Sequence, residues 1–254
     1  MALNSKALHI SIKIFLRVVV AGLLLPANMG FAMDHIVIGM AYNLKGELEY
    51  IEHHTVRYKN DQIVGITTIF LDAEFKKIGD LISDFSKGSQ YGSYKLTDIR
   101  QQYSDGARVE TDRITLFHRK NPKAALKTKT LPLDSRQIVG QGFNQFIVAN
   151  VDALIRGEEL RMKLVLPSKL DQYDVCIRKR KTEGNILHIR VEMENWFLKL
   201  FAPHLDAEYD LRLKRLLRYD GISMIADSKG KNAQVSISYE YEPDKTLLAK
   251  LPKF

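Results

Sequence analysis

Leu187-His188-Ile189-Arg190-Val191-Glu192-Met193-Glu194 is the stretch that decides the fold class. Its apolar residues alternate with polar ones at every step, so an extended chain would have one apolar face and one polar face. The same alternation recurs in Leu160–Leu166, Tyr209–Leu213 and Val235–Tyr241. An antiparallel sheet that is packed on one face and solvated on the other requires this pattern. The sequence therefore predicts a mainly β protein.

A β-hairpin is predicted near the start of the fold. The segments Leu48–Tyr58 and Ile63–Leu71 are rich in β-branched and aromatic residues. The polar residues Lys59-Asn60-Asp61 separate them, and such a short polar link between two strand-like segments indicates a hairpin.

A second hairpin and a long loop are predicted further along. Ser104-Asp105-Gly106 has the composition of a turn, so it predicts a hairpin between Ile99–Tyr103 and Val109–Phe117. The following stretch, Arg119–Gln137, contains several basic residues and two prolines and shows no regular alternation. We therefore expect it to be a long exposed loop.

One helix is predicted, over Phe143–Arg156. Its apolar residues are Phe143, Phe146, Ile147, Val151 and Leu154. They form a single stripe, and Gly157 follows at the position that often ends a helix. A helix with one apolar stripe suits the face or the open end of a curved sheet. We therefore expect residues 33–254 to form one domain, a large curved antiparallel sheet (open or a half-barrel) with one amphipathic helix packed on it.

The first 32 residues are typical of an export signal. Lys6, Lys13 and Arg17 precede the eight apolar residues Val18–Leu25, and small residues stand at the cleavage positions before and at Ala32. A membrane-spanning helix needs roughly 20 apolar residues. No cysteine stands directly after the cleavage point, which disfavours a lipoprotein. We expect cleavage after Ala32 and a periplasmic mature chain without a transmembrane span.

The charge balance points to the cell envelope rather than to nucleic acid. The whole chain has 38 Lys and Arg against 30 Asp and Glu, a net charge of +8. The signal holds three of the basic residues, so the mature chain has a net charge of +5. The polyanions outside the cytoplasm are mainly lipid head groups and lipopolysaccharide. A lipid or an envelope protein is therefore the expected partner.

Two segments are candidates for contact with a ligand or a membrane. One is an apolar run with the only tryptophan, predicted to be either a buried corner or an exposed lip. The other is a basic block, predicted to lie at a hairpin tip before Glu183-Gly184-Asn185 and to be either solvated or in contact with a membrane surface. The candidate residues are Trp196, Phe197 and Phe201 in the run, and Arg178, Lys179, Arg180 and Lys181 in the block.

No catalytic or cofactor motif is recognisable, and no cofactor is expected. His53 and His54 are adjacent, so in a strand they point to opposite faces and cannot hold one metal ion together. His54 shares a face with Glu52, and His188 with Glu192, a spacing that acid–base catalysis could use. Pairs of this kind are more commonly solvated neighbours, so no catalytic residue and no metal site is assigned.

Cys176 is the only cysteine, which excludes an internal disulfide bond. It lies in an alternating segment, Tyr173–Arg178, and no histidine motif accompanies it. An activated thiolate needs such a base. The sequence therefore predicts an unreactive cysteine in a strand.

The central part of the chain resembles a family of uncharacterised exported proteins of Gram-negative bacteria. The residues that carry this resemblance are Gly142-Phe143-Asn144-Gln145-Phe146, Asp152-Ala153-Leu154-Ile155-Arg156-Gly157, Pro167-Ser168-Lys169-Leu170-Asp171-Gln172-Tyr173 and Arg215–Ser223. Asn144 stands where the family has an acid, and Lys169 where it has arginine. The resemblance implies a periplasmic β protein and no particular reaction. A weaker likeness, of fold alone, links it to the half-barrels that carry lipoproteins or lipids across the periplasm.

These observations favour a non-enzymatic exported protein whose curved sheet binds a lipid, another apolar ligand or an envelope partner. The alternative is a cell-envelope hydrolase whose catalytic His and Glu residues the sequence does not place.

Overall fold

Fifteen strands pair side by side into one sheet in the computed structural model, which describes residues 33–195, 204–227, 230–231 and 233–252. The strands are β1 (Met33–Asn43), β2 (Leu48–Lys59), β3 (Gln62–Leu71), β4 (Lys77–Asp84), β5 (Ser93–Asp98), β6 (Tyr103–Val109), β7 (Arg113–Arg119), β8 (Lys127–Pro132), β9 (Gln137–Val139), β10 (Leu160–Leu166), β11 (Asp171–Glu183), β12 (Ile186–Met193), β13 (Leu205–Asp210), β14 (Arg215–Ile222) and β15 (Gln234–Glu240). The mainly β class is therefore confirmed.

The strand order is two meanders joined by the first and last strands. It runs from β8 back to β1, continues through β15, and then returns to β9. All pairings are antiparallel except that of β9 with β10, which is parallel. The sheet is thus mixed, a small correction to the all-antiparallel prediction.

The two edges of the sheet lie close together. The edge strands β8 and β9 follow each other in the chain, and Lys129 of β8 forms an ion pair of 2.9 Å with Asp171 at the start of β11. At the edge of β9 that faces away from β10, the amide of Val139 donates to the carbonyl of Gln90. Among the described residues no ladder joins β8 to β9, so the sheet is not closed into a barrel. The predicted open or half-barrel sheet with a packed helix is confirmed.

The predicted helix is present but broken. It consists of α1 (Gly142–Ala149) and α2 (Val151–Ile155), separated at Asn150, whose backbone leaves the helical region. The Asn150 side chain donates to the Phe146 carbonyl. This local bond competes with regular helix geometry, and the sequence pattern alone does not show it. Both helices pack against strands β9 to β13 through a single apolar cluster.

Part of each of the strands β1 to β3 is buried on both faces. On the inner, concave face Tyr50 and Phe70 belong to the main core cluster. On the outer face Ile38 and Ile51 pack against Leu251, at the end of the short C-terminal helix α3 (Lys245–Lys250).

The first predicted hairpin is confirmed. Register pairs Lys59 with Gln62 across the two-residue turn Asn60-Asp61. Both turn residues have positive φ, +50° and +59°, the conformation of the tight turn that fits the twist of two antiparallel strands.

The second predicted hairpin is wrong, because Ser104-Asp105-Gly106 lies inside β6. A side chain on Gly106 would come within 2.1 Å of the Tyr94 carbonyl oxygen and 2.5 Å of the Phe117 ring. Glycine is therefore required here for close approach of neighbouring strands rather than for a turn. The predicted loop Arg119–Gln137 is also partly wrong, since it contains β8 and the first residue of β9. Lysines and a proline suit an exposed edge strand, because they oppose pairing with another chain.

One end of the sheet collects seven connections, and we call it the loop-covered end. Antiparallel order places there the links β1–β2, β3–β4, β5–β6, β7–β8, β10–β11, β12–β13 and β14–β15. Residues 223–227, after β14, reach across to the β5–β6 link, and a 3₁₀ segment, Pro167–Lys169, packs against β6 and β7.

Candidate functional site

A chain of polar side chains, four buried and two half-buried, crosses the concave face of the sheet. Its members are Tyr239, Glu52, His54, Thr68, Gln141 and Ser83. Gly39 of β1 stands between Tyr239 and Glu52 in register. Because Gly39 has no side chain, the Tyr239 hydroxyl reaches Glu52 Oε2 across the strand, at 3.3 Å.

One set of hydrogen-bond roles satisfies the whole chain. Ser83 donates to Gln141 Oε1 (2.7 Å), and Gln141 Nε2 donates to Thr68 Oγ1 (3.1 Å). The Thr68 hydroxyl then donates to His54 Nδ1 (2.7 Å). His54 Nε2–H in turn donates to Glu52 Oε2 (3.0 Å). Each buried polar group thereby gains a partner, which offsets the cost of its burial.

The Thr68–His54–Glu52 part has the groups of a catalytic triad but not its arrangement. In a triad the nucleophile faces Nε2 and the acid faces Nδ1. Here these roles are reversed, and Thr68 is 0% exposed. The His54–Glu52 pair is thus a buried structural link, and the expectation of a solvated pair is wrong.

The second predicted pair does not form as expected. His188 lies 3.4 Å from Glu183 and 3.5 Å from Glu208. Glu192 instead pairs with Arg178 of the basic block.

The basic block lies within β11, before the tip at Gly184 and not at the tip itself. Lys181 pairs with Glu183 at 2.6 Å, and Lys179 donates to the Ile155 carbonyl at 2.5 Å. Arg180 is exposed. Carboxylates thus pair with two of the four cations, which weakens the attraction of the block for a distant anionic surface.

The remaining residues considered in the sequence are the aromatic residues of the apolar run and Cys176. Trp196, Phe197 and Phe201 lie outside the described residues. Cys176 lies in a strand, β11, as predicted. It is also buried, and burial raises the pKa of its thiol. A raised pKa lowers the fraction of reactive thiolate.

Hydrogen bonds join two distant links at the loop-covered end of the sheet. Asp98, at the end of β5, accepts from the amide of Gln101 (2.9 Å) and from that of Ala226 (3.2 Å). Arg100 donates to the Ala226 carbonyl. The link before β15 is thereby held against a turn that is many strands away in the sheet order.

A shallow depression with room for about one water molecule lies where this link meets the sheet. Tyr50, Ile225 and Val235, all members of the main core cluster, form its apolar wall. Arg100 and Glu49 supply charge at its margin. It is far smaller than the roughly 300–1,000 Å³ of a typical ligand pocket, so a ligand could enter only if residues 223–227 moved aside.

Exposed apolar side chains concentrate around the same end. Eight large apolar side chains are exposed among the described residues. Five of them stand in or next to its links, namely Leu44, Ile99, Leu126, Ile222 and Met224. The β12–β13 link, which contains the apolar run, also starts and ends here.

A second polar cluster lies on the concave face near this end. Asp105 of β6 is 4% exposed, and one of its oxygens accepts from the Tyr103 hydroxyl. Burial raises the pKa of Asp105 to about 6. His118 of β7 stands directly opposite Asp105 in register, and its ring packs edge-on against Tyr103 at 5.3 Å.

Sequence reasoning missed this cluster because Ser104-Asp105-Gly106 has the composition of a turn. A signal was present, since Tyr103, Asp105 and Ala107 alternate on one face of a strand. A strand assignment would have placed the carboxylate in the core.

Comparison with protein-family models finds none that matches the chain, and comparison with curated proteins finds no match. Within the described part of the chain, no helix has both the length and the apolar character needed to cross a bilayer.

Proposed function

We propose that this chain is an exported, non-enzymatic periplasmic protein that binds a lipid or another apolar ligand at the loop-covered end of its curved sheet. The observation that carries the proposal is the concentration of five exposed apolar side chains around this end. Exposed apolar surface that is grouped rather than scattered is typical of sites that bind lipids or partners.

The depression marks the place where such a ligand would enter once residues 223–227 move aside. Its wall of Tyr50, Ile225 and Val235 is continuous with the main core. An apolar chain end that lies there would move from water to an apolar surface. This burial would stabilise the complex by about 25 cal/mol per Å² of apolar area removed from water. The rest of the ligand would lie over Ile222 and Met224, which are each 40% exposed.

The site is tested with a fluorescent fatty acid and the mature chain. A variant with Leu44, Ile222 and Met224 replaced by serine is expected to bind roughly tenfold more weakly, which corresponds to about 1.4 kcal/mol. The matched control replaces Ile82, Ile155 and Leu213 by serine, because these are also exposed but lie elsewhere. Equal binding by both variants would contradict the site, and a wild-type chain that binds no fatty acid would contradict the function.

Native mass spectrometry of protein taken from the periplasm tests the ligand class. A co-purifying lipid supports the proposal. A bound envelope protein without lipid would instead indicate that the same surface binds a protein partner. That result would contradict a lipid ligand.

Export has its own test. We expect the chain isolated from its native host to begin at Met33. An isolated chain that still begins at Met1 would contradict export through a cleaved signal.

A further inference from the structure

The Asp105 cluster holds two buried polar atoms that the fold does not satisfy. Asp105 Oδ1 has no hydrogen-bond partner among the described residues, and neither has His118 Nδ1. The two residues are directly opposite in the β6–β7 ladder. Side chains at such positions point to the same face, about 5 Å apart at Cβ. A carboxylate oxygen and an imidazole nitrogen therefore flank one region of the concave face.

Two lysines add positive charge at this place. Lys127 of β8 stands opposite His118 in register. Lys169 belongs to the 3₁₀ segment, which packs against β6 and β7. After burial, these two ammonium groups are the main causes that lower the pKa of His118. Both lysines are exposed, and within the described part of the chain neither has an ion-pair partner closer than 4.0 Å.

The combination limits the chemistry of a ligand. Asp105 Oδ1 accepts only a hydrogen-bond donor when the carboxyl is ionised, whereas the lysines attract negative charge. A metal cation satisfies Asp105 but is repelled by Lys127 and Lys169. A plain anion satisfies the lysines but is repelled by Asp105. An anion that carries its own O–H group satisfies both.

We propose that Asp105, His118, Lys127 and Lys169 bind a protonated oxyanion of the hydrogen phosphate class. Its O–H group donates to Asp105 Oδ1, and its other oxygens accept from His118 and the two lysines. Charge-assisted hydrogen bonds of this kind are short and strong. The site does not depend on the apolar ligand proposed above, because it involves neither the depression nor the exposed apolar side chains.

The decisive comparison is inorganic phosphate against sulfate, at neutral pH and equal ionic strength. Hydrogen phosphate retains a proton, whereas sulfate has none. Titration of the mature chain is followed by calorimetry and by the NMR signals of the His118 ring. We expect saturable binding of phosphate and at least tenfold weaker binding of sulfate. Asp105→Asn should remove this discrimination, since an amide can donate to an oxygen of sulfate.

Lysine variants test the charge contribution. Lys127→Gln combined with Lys169→Gln is expected to weaken phosphate binding by tenfold or more. Lys87→Gln combined with Lys214→Gln is the matched control, because these exposed lysines lie in links at the opposite end of the sheet. Equal loss in both double variants would reveal a general charge effect and overturn the site. A His118 signal that phosphate does not change would overturn it as well.

Two further probes identify the source of the phosphate group. Glycerol phosphate represents soluble esters, and vesicles that contain phosphatidic acid represent a lipid head group with the same chemistry. Saturable binding of inorganic phosphate together with one of these esters supports the site and assigns the source. Phosphate binding with neither ester assigns free phosphate, and binding of none of the three overturns the site. Because the phosphate titration contains no lipid, its result is independent of the fatty-acid experiment.

Discussion

Thr68 shows how much of the interior depends on single polar atoms. It is fully buried, and its hydroxyl links Gln141 to His54. Sequence alternation correctly placed Glu52 and His54 on one face of β2. It did not show that this face is concave and closed over, because burial depends on strands that are distant in the chain.

Thr68→Val tests that link. The change keeps the shape of the side chain but leaves Gln141 Nε2 and His54 Nδ1 without their partner, so the free energy of unfolding should fall by about 1–3 kcal/mol. Chemical denaturation measures it. Thr128→Val on the exposed edge strand β8 is the control and should change stability by less than about 0.5 kcal/mol. A similar small effect at Thr68 would show that the chain of hydrogen bonds adds nothing to stability.

Asp105 predicts a pH dependence of stability. Its pKa in the fold is about 6, against an ordinary 3.8 for an aspartate. The folded state therefore holds this proton more tightly than the unfolded state. The resulting stabilisation is complete at pH values below the ordinary pKa and is lost as the pH rises through about 6.

Asp105→Asn isolates this effect, because the amide does not ionise. The stability of the wild type relative to the variant should fall between pH 4 and pH 7, by on the order of 2 kcal/mol. Denaturation by urea at several pH values measures the difference. A constant difference across this range would mean that Asp105 titrates normally and is more solvated than its 4% exposure indicates.

At the scale of elements, the sequence pattern correctly predicted the helices and strands that depend on residues close together in the chain. The β2–β3 hairpin and the helical stripe of Phe143–Leu154 depend on neighbours in sequence, and both are present. The break at Asn150 depends on a side-chain hydrogen bond, and the strand β8 depends on pairing with β7. Neither leaves a periodic signal in the sequence.

The outer face of β1 to β3 depends on α3. Ile38 and Ile51 are buried there, and Leu251 packs against them with 7% exposure. Leu251→Ala should therefore lower the free energy of unfolding by about 2–3 kcal/mol, through lost burial and the cavity it leaves. Leu213→Ala is the control, since Leu213 is 45% exposed in the β13–β14 link and should have little effect. Equal effects at the two sites would mean that α3 does not cover the sheet in solution.

At the scale of the whole molecule, the pairing of β1 with β15 and the meeting of the edges β8 and β9 make the sheet curve on itself. Strand alternation cannot predict either, because the paired residues are up to about 200 positions apart, as Ile38 and Glu240 are. The depression follows from this closure, and for that reason the sequence did not identify it. The Asp105 cluster lies on the neighbouring strands β6 to β8 and was missed only because residues 104–106 have the composition of a turn.

Asp98 is the residue on which closure of the loop-covered end depends most directly. It is 2% exposed, and its two oxygens accept from the amides of Gln101 and Ala226. Asp98→Ala should free the Ala226 amide and loosen residues 223–227 from the β5–β6 link. Hydrogen exchange at Ile225 and Ala226 should then accelerate by tenfold or more, equivalent to about 1.4 kcal/mol of lost protection.

Asp72→Ala is the matched control for Asp98, because Asp72 also accepts from two backbone amides. Its partners, Glu74 and Lys76, belong to its own turn. Losing these bonds should loosen the β3–β4 turn and leave exchange at Ala226 unchanged. If the two variants affected Ala226 equally, the closure would reflect overall stability rather than the Asp98 bridge. If neither affected it, the link before β15 would be held by the burial of Ile225 alone, and an entering ligand would have to displace that side chain.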